Sequence, residues 1–380
     1  MRPIHITGGQ MLAGGALNDA DLVLADGRIA DGNAADAKPI DATGLLVLPG
    51  IIDLHGDAFE RQLQPRPGVD FPVDFALAET ERQLLANGIT TAFHGVTLSW
   101  EPGLRSVETW RELLDTLGAH SWTCDMRVHM RWEAYNLDAL DTAIADIAAG
   151  RVHLLAFNDH TPAIVERLDN DAKASKYSDR GPLSLADFRA LAKRIADRES
   201  LIPAALERIA AAARAAGVPM ASHDDDTVAT RDSFRGMGAR ICEFPMEEEV
   251  GRAARGAGDA VAMGSPNVVR GGSHLGWASA ATLAEAGICS VLTSDYYYPC
   301  LMRAAFVLAG RGVLSLSQAW DLISANPAAA GHLADRGQIA PGKRADLALI
   351  DATGAAPRLV ATIAQGRIAY MDATEWRRLS

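Results

Sequence analysis

Histidine and acidic residues recur at the ends of short apolar runs through the middle of the chain. Imidazole nitrogens and carboxylate oxygens together are ligands that zinc, iron and manganese accept. A single histidine in such a place is commonly a hydrogen-bonded core residue, but five run ends with suitable chemistry favour a metal site. Six donor groups suit two metal ions better than one. The six residues are His55, Asp57, Glu133, His160, His223 and Asp295.

Residue spacing predicts which of these side chains share a face. His55 and Asp57 are two residues apart, so on a strand they point to the same side. Within 126–133, the odd-numbered residues are charged or polar and the even-numbered ones are apolar. The apolar set suits packing against helices. We therefore expect the polar set, which includes Arg131 and Glu133, to face the interior and mouth of a barrel.

The region that must position these residues alternates short apolar runs with helical patterns. Seven runs stand out as strands, and a clear helix pattern begins after Ser184, a favourable N-cap residue. Repeated strand–helix alternation over 49–330 predicts a (β/α)8 barrel, in which the C-terminal strand ends form the active site. A doubly wound open sheet is the alternative, but no glycine-rich phosphate loop follows the first strand.

The two ends of the chain have a different residue pattern from the middle region. Both contain short strand-like runs separated by turn signals, and each end is too small to bury a core by itself. We expect 1–48 and 331–380 to pair into one small β-sandwich domain. Residues 49–330 then form the barrel as a catalytic domain.

Composition excludes several classes of protein. The chain has 380 residues, of which 48% are hydrophobic, so it can bury a full core and is not a disordered chain. A net charge of −12 without a basic block argues against a nucleic-acid partner, and no apolar run is long enough to span a membrane. The four cysteines form no CxxC pair, which predicts reduced thiols and a cytoplasmic location. The composition is compatible with a homo-oligomer.

Two segments resemble motifs of the amidohydrolase superfamily. Residues 48–57 (LPGIIDLHGD) resemble its first barrel strand, and 337–347 (GQIAPGKRADL) resemble its C-terminal return strand. The superfamily usually has His-x-His in the first motif, so His55-Gly-Asp57 is a departure. The resemblance implies a metal-dependent barrel supported by a β-sandwich from both chain ends.

Further motifs resemble the PhnM family of the carbon–phosphorus lyase pathway, over essentially the whole chain. Tyr296–Tyr298 is one tyrosine longer than the family segment, which affects local spacing beside Asp295. The motifs are Pro65–Pro67, Asn158–His160, Ser222–Asp225, 264–274 (GSPNVVRGGSH) and 294–297 (SDYY). Members of this family are α-D-ribose 1-methylphosphonate 5-triphosphate diphosphatases. The resemblance therefore implies hydrolysis of this phosphoanhydride to the 5-phosphate and pyrophosphate.

The resemblance also implies roles for the donor residues. Two divalent metal ions are expected, with zinc preferred and iron or manganese as alternatives. One would be held by His55, Asp57 and Asp295, and the other by His160 and His223. Glu133 would bridge them where many relatives use a carboxylated lysine. Glu133 and Asp295 are the expected catalytic residues, acting on a water whose pKa both cations lower.

An anionic sugar triphosphate and phosphonate substrate needs several hydrogen-bond donors. Arginines and lysines near the expected mouth, with polar residues of 264–274, supply them. Arg270 and His274 could each have one of two roles: contact with the substrate, or stabilisation of their own loop. The expected substrate-binding residues are Arg61, Arg66, Arg131, Lys173, Lys176, Asn267, Arg270, Ser273, His274 and Tyr296.

Two other functions are compatible with the same pattern. One is hydrolysis of a cyclic amide or amine, which is common chemistry on this scaffold and needs few cations in the pocket. The other is a non-catalytic scaffold, in which metal ligands are expected to be lost. All six ligand positions are filled here, which favours an enzyme.

Overall fold

The architecture comes from a computed structural model that describes residues 2–32, 36–168, 170, 183–272 and 279–379. The N-terminal segment forms seven short strands. They are β1 (Ile4–Thr7), β2 (Gln10–Ala13), β3 (Ala16–Asp19), β4 (Leu22–Ala25), β5 (Arg28–Ile29), β6 (Lys38–Asp41) and β7 (Leu46–Pro49).

Eight parallel strands follow, each paired with the next along the chain. They are β8 (Ile51–Gly56), β9 (Ile89–Leu98), β10 (Asp125–Glu133), β11 (Leu154–Asn158), β12 (Met220–His223), β13 (Ile241–Glu243), β14 (Ala260–Gly264) and β15 (Val291–Thr293). The last strand returns to the first through a bridge between Gly56 and Asp295. The predicted barrel is thereby confirmed.

The C-terminal strands complete the sandwich. They are β16 (Leu347–Asp351), β17 (Arg358–Ala364) and β18 (Arg367–Met371). Strand β16 pairs antiparallel with β7, which joins both chain ends in one six-stranded sheet of order β18-β17-β16-β7-β2-β3. A four-stranded sheet, β5-β4-β1-β6, packs on it through a shared apolar core that includes Ile6, Leu24, Leu347 and Val360. The expected β-sandwich is confirmed, while the domain division at 48/49 and 330/331 stays a prediction.

Helices of the described residues connect and cover the barrel strands. Ser184 accepts a hydrogen bond from the amide of Asp187 and so begins α6, as its sequence predicts. The α-helices of the described residues are α1 (Glu60–Leu63), α2 (Val73–Leu85), α3 (Val107–Ala119), α4 (Leu140–Ala148), α5 (Thr161–Arg167), α6 (Leu185–Ala196), α7 (Ile202–Ala216), α8 (Val228–Met237), α9 (Glu248–Gly256), α10 (Ser265–Arg270), α11 (Ala280–Glu285), α12 (Cys300–Gly310), α13 (Leu316–Asp321) and α14 (Ala325–Ala330). No helix of these ranges is long and apolar enough to cross a membrane.

Two apolar layers hold the barrel. The outer layer contains Met130 and Trp132 of β10, packed in one cluster with apolar side chains of the surrounding helices. The inner layer closes the N-terminal end of the barrel, where Ala328 of α14 and the following Leu333 pack in one cluster with strand residues such as Leu54. The side chains of Arg131 and Glu133 on β10 are therefore left to the C-terminal half of the interior.

The ends of the first and last barrel strands are joined by a buried carboxyl group. Asp53 is fully buried, and its carboxyl oxygens accept hydrogen bonds from Ser294 Oγ (2.5 Å) and the Ser294 amide (3.0 Å). Burial raises the pKa of Asp53 to about 6, against the effect of these hydrogen bonds. The His55 amide also donates to Asp53, at 3.3 Å. One side chain thus couples barrel closure to the position of His55.

We expect Asp53→Ala to lower the free energy of unfolding by about 2–4 kcal/mol, because two buried donors of Ser294 lose their acceptor. Asp53→Asn is the matched control, since its amide can still exchange hydrogen bonds with Ser294, and it should lose less. Urea unfolding measures both. An alanine variant as stable as the parent protein would contradict this role.

Candidate active site

The six predicted donor residues all lie at the C-terminal ends of barrel strands. Three are in the last two residues of their strands: His55 of β8, Glu133 of β10 and His223 of β12. Asp57 directly follows β8. His160 and Asp295 lie two residues beyond β11 and β15. Parallel strands bring these ends to one mouth of the barrel.

A buried acidic residue that sequence reasoning missed lies among them. Glu243, the last residue of β13, is fully buried, and its Oε2 atom contacts three histidine rings. It lies 3.1 Å from His55 Nδ1, 3.3 Å from His223 Nδ1 and 3.7 Å from His129 Nε2. The rings of His55 and His223 stack at 5.3 Å. One carboxyl oxygen therefore connects the ends of four strands.

Contacts of Arg131 define the proton positions on His223. Arg131 Nη2 lies 2.9 Å from His223 Nε2. A guanidinium only donates, so Nε2 accepts, and Nδ1 of the neutral ring donates to Glu243. Burial, followed by the charge of Arg131, lowers the pKa of His223 well below its usual value. The ring is thus neutral, which is the form that binds metals.

His55 has the same relation to Glu243 and an open space on its other side. Burial lowers the pKa of His55 to about 3, so its ring is also neutral. With Nδ1 directed to Glu243, Nε2 lies beside Gly95 of β9, where a Cβ would come within 3.3 Å of it. A side chain at this position would crowd the nitrogen, and glycine avoids that contact.

A second donor group surrounds Asp224. Its Oδ2 atom lies 3.6 Å from His160 Nε2 and 3.6 Å from His223 Nε2. His160 Nδ1 lies 3.7 Å from Glu133 Oε2. Glu133 is buried and accepts hydrogen bonds from Thr161 Oγ1 (2.6 Å) and from the amides of His160 and Thr161. Glu133 therefore fixes His160 at the start of α5.

The two remaining predicted donors meet through the backbone. The Asp295 amide donates to the carbonyl of His55, and the Asp57 amide donates to the carbonyl of Asp295. Asp57 Oδ2 lies 3.9 Å from Arg131 Nη1. Burial, with the Asp57 carboxylate as the next cause, raises the pKa of Asp295 to about 7. Asp295 can therefore exchange a proton near neutral pH.

The donor set fits a divalent cation. Two groups have donor atoms within 4.8 Å of one another: His55, His223 and Glu243, and His160, His223 and Asp224. Within the described ranges, Glu243 Oε1 and His129 Nε2 are buried without a hydrogen-bond partner, which is costly. His129 Nδ1 contacts the Leu54 carbonyl at 3.0 Å, so it carries the proton and Nε2 faces Glu243 as a second acceptor. A cation would relieve this accumulation of lone pairs.

Several predicted substrate-binding arginines lie around this centre. Arg131 is buried within it, as described above. Arg61 and Arg66 line a cavity of about 240 Å³ together with Arg105, which the sequence did not single out. Arg105 lies 3.8 Å from Glu60 and 3.7 Å from Glu101, and these carboxylates raise its pKa despite its burial.

Two further predicted residues contact each other near Asp295. Arg270 Nη1 donates to the hydroxyl of Tyr296 at 3.3 Å, and the Arg61 guanidinium lies 5.9 Å from the centre of the Tyr296 ring. Asn267 accepts hydrogen bonds from the amides of residues 271 and 272 through its carbonyl, at the end of α10. The remaining predicted residues lie outside the described ranges. They are Lys173, Lys176, Ser273 and His274.

Counting strands was the signal that could have found Glu243. A barrel needs eight strands, whereas only seven apolar runs are visible in the sequence, and the long interval between His223 and 260 contains no run. Strand β13 has only two apolar residues, Ile241 and Cys242, before Glu243. Asp225, two residues beyond His223, accepts a hydrogen bond from Ser222 Oγ.

Comparisons with known proteins agree with this architecture. A sequence profile described as "Amidohydrolase family" matches residues 182–370. The fold is similar to dihydropyrimidinase from Brevibacillus agri (TM-score 0.61, 14% identity, 97% of this chain and 95% of the other). It is also similar to N-acetylglucosamine-6-phosphate deacetylase from Pasteurella multocida (TM-score 0.63, 10% identity, 96% and 98%). At these identities the likeness concerns the fold alone.

A sequence relative is much more similar. The chain is 35% identical over 325 residues to alpha-D-ribose 1-methylphosphonate 5-triphosphate diphosphatase of Escherichia coli (strain K12), covering 82% of this chain and 84% of that protein. The chain belongs to the amidohydrolase family, whose members are generally metal-dependent. Within that family, it groups with this diphosphatase.

We expect Glu243→Gln to weaken metal binding about 10- to 100-fold, because the carboxylate that holds His55 and His223 loses its charge. Metal content after dialysis against a weak chelator measures the effect. Glu247→Gln is the matched control, since Glu247 is exposed four residues further along. Equal metal content in the two variants would remove Glu243 from the centre.

Proposed function

We propose that the chain hydrolyses α-D-ribose 1-methylphosphonate 5-triphosphate to the 5-phosphate and pyrophosphate. The supporting observation is the position of Arg131, a buried cation 2.9 Å from His223 and 3.9 Å from Asp57, at the centre of the imidazole and carboxylate donors. A site with its own buried positive charge suits a substrate with several negative charges. The named activity of the 35% identical relative supports the same substrate.

We further propose that the donor set holds two divalent metal ions, with zinc preferred. His55, Asp57 and Asp295 would hold one, and His160 and His223 the other, with Glu133 between them. Asp224 joins the second set because its Oδ2 lies 3.6 Å from both imidazoles. Bound divalent ions lower the pKa of water and neutralise charge on phosphoryl oxygens.

The chain's own residues orient and neutralise the substrate. Glu243 holds the Nδ1 sides of His55 and His223, which leaves the Nε2 sides for ligands. Arg131 supplies a positive charge inside the site. Arg61 and Arg66, which line the adjoining cavity, and Arg270, held by Tyr296, can contact the outer phosphates.

Proton movement is assigned to Asp295. Hydrolysis consumes one water, breaks one phosphoanhydride P–O bond and yields two phosphate products. A carboxyl oxygen of Asp295, which follows the last barrel strand at the mouth of the site, would take a proton from the attacking water. Pyrophosphate spreads its charge over several oxygens, so it needs less acid assistance than an amine leaving group.

Incubation with the ribose triphosphate and, in parallel, with cyclic amides tests this function. We expect pyrophosphate release without ring opening, and loss of turnover after chelation that added zinc, iron or manganese restores to different extents. Ring opening without pyrophosphate release would instead favour the amide hydrolase. Full turnover after chelation would contradict the metal assignment.

Arg270→Ala should raise KM for the triphosphate about tenfold or more, since a charge-assisted hydrogen bond contributes about 1.5–3 kcal/mol. Tyr296→Phe keeps the ring beside Arg61 but removes the hydroxyl that holds Arg270, so it should give a smaller increase. Steady-state kinetics measure both. An unchanged KM in Arg270→Ala would contradict contact with the substrate and would indicate that this arginine stabilises its own loop.

A further inference from the structure

A second cavity lies at the opposite end of the barrel. It has a volume of about 550 Å³, within the usual range of small-molecule sites. Its apolar wall comes from the first residues of three neighbouring strands: Met220 of β12, Ile241 of β13 and Ala260 of β14. The candidate active-site residues His223 and Glu243 are the last residues of the first two of these strands. The two sites are therefore separate.

The lining of this cavity is positively charged, although the chain carries a net charge of −12. Arg214, Arg240 and Arg255 line it, with His332 beside them, and the lining contains no acidic residue. Arg214 pairs with Glu207 at 2.7 Å. Over the ranges that the structure describes, Arg240 and Arg255 have no carboxylate within 4.0 Å.

Capping of helix ends accounts for part of this arrangement. Helices α7, α8 and α9 end at the cavity, and arginines near helix C-termini commonly donate to carbonyls there. Arg240 donates through Nη1 to the carbonyls of Arg235 and Ala239. Arg255 donates through Nε and Nη1 to those of Gly287 and Asp259.

Capping leaves donors unused on both side chains. A guanidinium has five N–H groups in a planar fork. Among the described residues, Nη2 of Arg240 and Nη2 of Arg255 have no hydrogen-bond acceptor. Two guanidinium groups with free N–H groups beside a cavity match the oxygens of a phosphoryl group.

We propose that this cavity is a second binding site, for an anion that carries phosphoryl groups. Arg240 and Arg255 supply the charge that no acidic residue of the lining offsets. Residues at the N-terminal face of a barrel ordinarily serve stability, whereas these two exposed arginines keep N–H groups without a protein acceptor beside an open volume, where a ligand can reach them. The site is independent of the hydrolysis proposed above.

Calorimetric titration of the metal-loaded enzyme with inorganic pyrophosphate tests the proposal. We expect two equivalents to bind, one at each end of the barrel. Arg240→Gln combined with Arg255→Gln should raise Kd at the second site at least tenfold, since two charge-assisted contacts are removed. KM for the triphosphate should stay unchanged, which separates this result from any failure of the proposed function.

Two further variants keep the test decisive. The matched control combines Arg208→Gln with Arg252→Gln, because these exposed arginines lie on α7 and α9 and pair with carboxylates outside the cavity. It should retain both equivalents. Ala330→Trp places a large ring in the cavity lining while keeping every arginine, and it should lose the second equivalent even if the double glutamine variant unfolds. A single equivalent in the parent enzyme, or equal loss in the control, overturns the proposal.

Discussion

Oε2 of Glu243 lies within 3.7 Å of imidazole nitrogens from three other strands, and the geometry of the site depends on this one atom. A carboxyl group with no solvent contact is unfavourable unless its neighbours compensate, and burial accordingly raises the pKa of Glu243. The hydrogen bonds from His55 Nδ1 and His223 Nδ1 compensate and at the same time fix the orientations of these two rings. A replacement that removed the carboxyl would free the rings of His55 and His223 together, so these two ligands behave as a unit.

Arg131 adds a second constraint at the same centre. It occupies the lone pair of His223 Nε2 at 2.9 Å, and it also lies 3.9 Å from Asp57. A cation that binds through this nitrogen must displace the guanidinium, because one lone pair serves one partner. Like charges also repel at short distance, so the guanidinium must shift away from this nitrogen when a cation binds there. Metal affinity and the position of Arg131 are therefore linked.

The sequence predicted the barrel and the sandwich because long periodic segments carry their structure in their pattern. The alternation within 126–133 placed Arg131 and Glu133 on one face, and both side chains lie in the site. Strand β13 was not predicted, because its two apolar residues are too few to be recognised as a strand pattern. The role of Glu243 depends on the rings of three histidines that folding brings together, and no local sequence pattern predicts such a long-range contact. The same reason hid Arg105, whose partners Glu60 and Glu101 gain meaning only beside it.

The pairing of β7 with β16 has a consequence for synthesis on the ribosome. These strands are about 300 residues apart, so the six-stranded sheet cannot assemble until late strands have emerged. The sheet β5-β4-β1-β6 is complete after residue 41, and the barrel after residue 295. Until β16 is synthesised, the edge of β7 that β16 will cover stays open and could pair with another nascent chain. Chaperone protection of β7 would therefore matter throughout the translation of residues 50–346.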